Sequence, residues 1–246
     1  MKRRIVLVGA SGVFGERLAS LIAPWPDVTL VLAARSQAPL VALRERLGEH
    51  VEVAVFDRNN PDRLSALSPW TVVDAAGPFQ GAGYALALAA VEAGAHYVDL
   101  ADGRAFVAGF EEAVDAPARK AGVLAVTGAS STPALTHAAL DRMTAGWTRI
   151  DRVFSAISAG SRAPRGTSLI RAILSWTGRP VRCFVDGRWR ERPGWGGMRR
   201  VSIPTVGRRW VALAETADLD LMPARFTPTP TVLRHRCRWP ARQLRQ

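Results

Sequence analysis

Short apolar runs alternate with amphipathic stretches along the first 130 residues. Ile5-Val6-Leu7-Val8 is a β-branched run that ends in glycine. A helical pattern begins near Val13. Residues 28–34, Val-Thr-Leu-Val-Leu-Ala-Ala, form a second and continuous apolar run. Such a run suits a strand covered on both faces. The alternation continues with a helix over 39–47, a third strand over 50–56 ending at Asp57, and a short helix over 60–67. A fourth strand is expected over 70–76. An alanine-rich helix over 83–93 is closed by Gly94, and a fifth strand follows over 96–100. A helix over 106–121 is closed by Gly122, and a sixth strand spans 123–127. Ser130-Ser131-Thr132-Pro133 reads as the cap of a further helix, with Pro133 in its first turn. Strands alternating with helices predict an α/β fold with a doubly wound parallel sheet.

The pattern changes after residue 148. A strand is expected over 152–158 and a helix over 167–176. Runs over 181–185 and 188–190 flank Asp186-Gly187, a hairpin signal. Further strands are expected over 199–203 and 208–213. These elements predict a smaller α+β domain with an antiparallel sheet, a common platform for substrate or for a homodimer. Residues 223–246 have no apolar period, no acidic residue and six arginines. That composition suits either a basic arm or an irregular tail. The expected domains are therefore 1–148, 149–222 and an arginine-rich tail over 223–246.

The first strand ends in Gly9-Ala10-Ser11-Gly12-Val13-Phe14-Gly15. A glycine triplet between a strand and a helix is a dinucleotide fingerprint, here in the spacing GxxGxxG. Gly9 permits the tight turn, Gly12 a close approach of backbone to pyrophosphate, and Gly15 close packing of helix on strand. Ser11, Val13 and Phe14 belong to the same turn, whose helix points free N–H groups at phosphates. About 20 residues on, NAD-binding chains place a carboxylate for the ribose 2′-hydroxyl. This chain has Arg35 and Ser36 there. A guanidinium holds a 2′-phosphate with paired charge-assisted bonds, and the serine hydroxyl adds another. NADP(H) is the expected cofactor. The alternative for Arg35 is a solvated arginine at a strand end.

Charge is unevenly spread over the 246 residues. Residues 1–148 hold 13 Lys+Arg and 15 Asp+Glu, a net of −2. Residues 149–246 hold 20 and 6, a net of +14. Lysine occurs only at positions 2 and 120, so the bias is toward arginine, as GC-rich codons would give. No basic helix with interleaved aromatics is present, so no nucleic-acid partner is expected. Peripheral contact with anionic membrane stays open. Cys183 and Cys237 have no metal or redox spacing and fit a reducing, cytoplasmic setting. No stretch of about 18 apolar residues suggests a membrane span.

Several pieces together resemble the saccharopine dehydrogenase-like, NADP-binding oxidoreductases. They are the residue 9–15 turn, Ala34-Arg35-Ser36 and Val73-Asp74-Ala-Ala-Gly77-Pro78-Phe79. They continue with Ala93-Gly94-Ala95-His96-Tyr97-Val98-Asp99-Leu100 and Gly128-Ala129-Ser130-Ser131-Thr132-Pro133. The resemblance covers roughly residues 4–140. Arg162-Ala163-Pro164-Arg165-Gly166 and Trp176-Thr177-Gly178-Arg179-Pro180 resemble the second domain of bacterial members. The resemblance implies that Arg35 and Ser36 hold the 2′-phosphate and that Asp57 sits by the adenine amino group. It implies a Rossmann-type domain in which Gly77, Pro78 and Phe79 lie beside the nicotinamide ribose. Family members generally run on with more apolar sequence, so the arginine-rich end is expected to mark a truncated or frame-shifted terminus.

A catalytic group is harder to find. The Tyr-x-x-x-Lys pair of short-chain dehydrogenases is missing, because Leu88 follows Tyr84 and Ala101 follows Tyr97 at that spacing. Hydride transfer to a carbonyl or imine benefits from a nearby acid. His96, Asp99, Asp102 and His137 are candidates, and Asp99 with Asp102 is the best-placed pair, at the carboxyl end of the fifth strand. The alternative is that these groups cap helices or satisfy loop backbone. No cluster suggests a metal. The expected function is NADP(H)-dependent hydride transfer to or from a small organic substrate: an imine, an amino-acid-like compound or an activated double bond. Alternatives are a catalytically silent NADP(H)-binding regulator and a basic protein associated with membrane or nucleic acid.

Overall fold

The computed structural model describes residues 2–158 and 166–226. These divide into two compact units. The first runs to Ser130 and takes in residues 166–169; the second holds 131–158 and 170–226. Residues 131–148, expected with the first domain, group with the second unit.

In the first unit the order is β1 (Arg3–Val8), α1 (Val13–Ile22), β2 (Val28–Ala34), α2 (Gln37–Leu47), β3 (Glu52–Val55), β4 (Thr71–Asp74), α3 (Ala85–Glu92), β5 (His96–Asp99), α4 (Arg104–Ala121) and β6 (Ala125–Val126). All six strands are parallel, in the order β3-β2-β1-β4-β5-β6. The strand order reverses between β1 and β4. The doubly wound sheet is as the sequence predicts, because runs such as Val28–Ala34 have apolar residues on both faces. On one face Leu7, Leu32 and Val73 pack with Ala19, Ile22, Leu40 and Leu43 of α1 and α2. On the other, Val6, Val72 and Tyr97 are in register, and the Tyr97 ring stacks on Phe110 of α4 at 5.8 Å. α4 ends at Gly122, whose φ of +68° is the left-handed stop that glycine accepts most readily. The short helix expected over 60–67 shrinks to a 3-10 turn at Ser65–Leu67.

In the second unit α5 (Thr136–Met143) follows an irregular turn at Ser131–Leu135. Thr132 there has extended backbone (φ −123°, ψ 125°), so Ser130–Pro133 do not cap a continuous helix as expected. Instead the Thr136 hydroxyl donates to the Pro133 carbonyl. The strand expected over 152–158 has no regular structure. α6 (Thr167–Leu174), whose first three residues group with the first unit, leads to the hairpin β7 (Pro180–Val185) and β8 (Arg188–Pro193). Asp186 (φ +53°) and Gly187 (φ +75°) make its two-residue turn. β9 (Arg199–Ile203) and β10 (Gly207–Val211) form a second, separate hairpin, so two small sheets stand where one was expected. Val181, Cys183 and Val185 bury one face of β7 against Trp176, Ile173, Leu213 and Leu219.

α7 (Asp218–Phe226) corrects the start of the tail: Pro223 lies inside this helix, and it and Met222 are buried. The remainder of the expected tail, the 162–165 part of the second-domain motif and Cys237 lie outside the described residues. No helix among the described residues is long and apolar enough to cross a membrane.

Candidate functional site

A parallel sheet opens a crevice outside the carboxyl ends of its strands where the order reverses. Here that place lies between the loops after β1 and β4. Gly9 leaves β1 with φ +79°. Its N–H and that of Ala10 both donate to the Ala33 carbonyl of β2, at 2.8 and 3.2 Å. A Cβ on Gly9 would stand 2.6 Å from the Ala76 nitrogen, so only glycine lets the two loops touch. A Cβ on Gly15 would meet Gly9 and Ala10 backbone, which is why the helix packs so closely. Gly12 differs: its added Cβ would meet only the Gly9 carbonyl, at 3.2 Å. Gly12 is the N-cap of α1 in extended conformation, with no side-chain cap. The first N–H groups of a helix have no intrahelical partner, so Val13, Phe14 and Gly15 turn amides toward the loop. Ser11 is half-buried and Phe14 exposed beside them. Glu16, the acidic residue of this first turn, is drawn aside by Arg46 at 3.1 Å. The cradle therefore fits a phosphate group.

Arg35 and Ser36 follow β2 directly and are exposed. Ser36 is the N-cap of α2, and its hydroxyl makes no cap bond. No ion pair among the described residues engages Arg35. Asp57, expected near adenine, accepts the Asn59 N–H on Oδ1 at 2.8 Å and so shapes a tight turn after β3. That turn presents Arg58, which the sequence reading missed. Arg58 Nη2 pairs with Asp74 Oδ2 at 2.8 Å, Nη1 donates to the Ala76 carbonyl at 3.0 Å, and the guanidinium lies 4.8 Å from the Phe79 ring centre.

Gly77, Pro78 and Phe79 follow β4, with a cis bond before Pro78. Phe79 is buried edge-on against Phe106 at 5.2 Å. Gly103 backs onto it: a Cβ there would lie 3.0 Å from the Phe79 carbonyl carbon. Asp102 sits in this contact. Its Oδ1 accepts the Gln80 amide N–H at 3.3 Å, and burial holds its carboxyl above the ordinary carboxylate range while that bond pulls the other way.

Asp99 behaves otherwise. It is fully buried, and its Oδ1 accepts from Ala101 N–H (2.9 Å), Gly128 N–H (2.8 Å) and the Thr127 hydroxyl (3.0 Å). It staples the loops after β5 and β6, which matches the alternative that the sequence left open, a carboxylate satisfying loop backbone. Burial raises its carboxyl as well, against those bonds. Asp74, also missed, is fully buried beside Tyr97, whose hydroxyl donates to it at 3.3 Å. Burial raises the Asp74 carboxyl and Arg58 opposes the rise. A carboxylate closing the apolar run Thr71-Val72-Val73 was the available signal for this group.

His96 opens β5, at the opposite end from Asp99, and its Nδ1 accepts the Leu124 N–H. It is far along the strand from the crevice. His137 belongs to the second unit, with Nε2 3.5 Å from Asp218 Oδ1. Tyr84 is tied to the Phe106 carbonyl at 2.9 Å. No group of three or more potential metal ligands occurs among the described residues.

A curated Mycobacterium tuberculosis protein whose name proposes a trans-acting enoyl reductase is 35% identical over 102 residues. That match spans 39% of this chain and 24% of the relative, and a counterpart in a second strain matches equally. The chain thus matches about a quarter of the length of these curated relatives. The solved apo saccharopine dehydrogenase (L-glutamate-forming) of Saccharomyces cerevisiae superposes with a TM-score of 0.57 at 13% identity. It covers 84% of this chain and 48% of its own, and it shows the shared fold. The family model for the saccharopine dehydrogenase NADP-binding domain matches residues 5–141. With more than half of its length matched, the chain belongs to the saccharopine dehydrogenase NADP-binding domain family.

Proposed function

We propose that the chain is an oxidoreductase that transfers a hydride between NADP(H) and a small organic substrate. The observation that carries this reading is Arg35 with Ser36. Both are exposed at the end of β2, and β2 is hydrogen-bonded through Ala33 to the glycine turn. In that position they would take the 2′-phosphate, where a carboxylate would repel it. The amides of the α1 first turn, opened by Gly12, would take the pyrophosphate. Gly77, Pro78 and Phe79 would flank the nicotinamide ribose, and Asp57 would help by shaping the turn before Arg58.

The reduced nicotinamide supplies a hydride when bound. Asp102 is the residue we assign to the accompanying proton. It stands in the loop after β5, and burial favours its protonated form. A carboxyl whose surroundings favour its neutral form is better suited to donate a proton. Gln80 orients it. Asp99 acts on shape only, by fixing the loops on either side. An activated carbon–carbon double bond is the first substrate class to test, since the curated relative is named for enoyl reduction. Imines and amino-acid-like substrates come next. A cytoplasmic enzyme, as monomer or homodimer, fits this reading.

The test has two steps. Calorimetry with NADPH and NADH should show tighter binding of NADPH. NADPH oxidation is then followed against 2-enoyl thioesters, cyclic imines and 2-oxo acids with amines. Binding without turnover of any class would favour the silent regulator.

A further inference from the structure

Arg58 serves three partners at the crevice, and none belongs to its own turn. It joins Asp74 at the end of β4, the Ala76 carbonyl, and the ring of Phe79. The segment it grips is held from the other sides too. Asp74 Oδ1 accepts the Ala76 N–H at 2.9 Å, and Gly9 packs against the Ala76 nitrogen. The Arg58 side chain is only 11% exposed, and its cation is already matched by a buried carboxylate. It is therefore unsuited to hold the 2′-phosphate, a task left to exposed Arg35.

We propose that Arg58 is a positioning residue that fixes the Gly77–Phe79 turn and thereby sets affinity for the nicotinamide half of the cofactor, while leaving the adenosine half untouched. The inference rests on the NADP(H) reading above. Its physical basis is the shape of the guanidinium. One planar group bonds a carboxylate and a carbonyl at its edge and covers a ring with its face. Lysine would keep the charge beside Asp74 but has no planar fork to serve all three partners. With the Ala76 carbonyl and the Phe79 ring released, the turn loses its register against the Gly9 loop. The turn lies outside β4 at the reversal of strand order, where a dinucleotide crosses the sheet.

The test compares two ligands, NADPH and 2′,5′-ADP, the latter carrying the 2′-phosphate without nicotinamide. Two variants are needed because an unpaired Asp74 could unfold the domain. Arg58→Lys keeps the ion pair, and Arg58→Met with Asp74→Asn removes both charges together. Each is expected to bind NADPH about tenfold or more weakly, the scale of a lost charged hydrogen bond. Affinity for 2′,5′-ADP should stay within about twofold of wild type. Arg35→Ala is the control, and should weaken both ligands. Equal losses for both ligands in the Arg58 variants, or unchanged NADPH affinity, would overturn the proposal alone. So would loss of cooperative melting in both variants, which would make Arg58 a fold residue. A wild-type protein that binds neither ligand would overturn the cofactor reading and this proposal together.

Discussion

The carboxylate of Asp99 accepts the backbone N–H of Gly128 at 2.8 Å, and so ties the end of β5 to the loop after β6. Ala101 N–H and the Thr127 hydroxyl share the same oxygen. Asp99→Ala should therefore cost about 2–4 kcal/mol in urea unfolding, from buried donors left without an acceptor. Asp99→Asn keeps one carbonyl-type oxygen. It should unfold within about 1 kcal/mol of wild type and retain NADPH binding and turnover. Loss of turnover with stability intact would return Asp99 to the chemistry.

Cofactor choice should reside in Arg35. Arg35→Asp is expected to lose about 1.5–3 kcal/mol of NADPH affinity, the worth of a charged hydrogen-bond set, and to favour NADH. Calorimetry with both cofactors measures it. A wild type with equal affinity for the two would sink the assignment.

The glycines should separate fold from binding. Gly9→Ala places a Cβ 2.6 Å from the Ala76 nitrogen at a φ of +79°, so its melting temperature should fall sharply. Gly12→Val meets only the Gly9 carbonyl of the protein, and should keep its helical circular dichroism while losing NADPH. If Gly12→Val binds NADPH like wild type, the phosphate loop is misassigned.

Asp102 should leave a pH signature. Its folded carboxyl is raised by burial, so the folded state holds the proton that the unfolded chain releases near pH ~3.9. Stability contributed by this group is present in acid. It declines as pH rises from that value through the raised one, because the folded state binds more protons there. Asp102→Asn should flatten the decline seen in urea midpoints. In turnover it should abolish the alkaline limb of the pH profile along with most activity. A variant as active as wild type would remove Asp102 from the proton's path.

His137 has the opposite sign. Burial lowers its pKa, against the attraction of Asp218 and Asp141 and together with the repulsion of Arg225. The unfolded chain takes up its proton first, near pH ~6.5, so stability is lost as pH falls through that value toward the lowered one. His137→Gln should lose less stability than wild type between about pH 7.5 and 5.5. An identical loss in both proteins would show that His137 does not titrate there.

The residue order alone determined the parallel sheet, the glycine turn and the basic residue that replaces an acid after β2. These are local matters. An apolar run covered on both faces, a glycine between strand and helix, and the residue that leaves a strand are all legible within a few positions. The Asp186-Gly187 hairpin was legible for the same reason, since its turn needs positive φ at two adjacent residues. What Asp99 and Arg58 do was decided by tertiary structure, because the Arg58 partners and the Thr127 and Gly128 donors to Asp99 lie 16 to 29 residues away. A carboxylate at a strand end looks the same in sequence whether it faces a substrate or three loop donors. Only the packing of β5 beside β6 buried it and supplied the Thr127 and Gly128 donors. Pro223 stood at the start of the expected tail, which has no apolar period, yet α7 continues through it with Met222 and Pro223 buried. Burial of that turn outweighed the local penalty, and no window of sequence reports such burial.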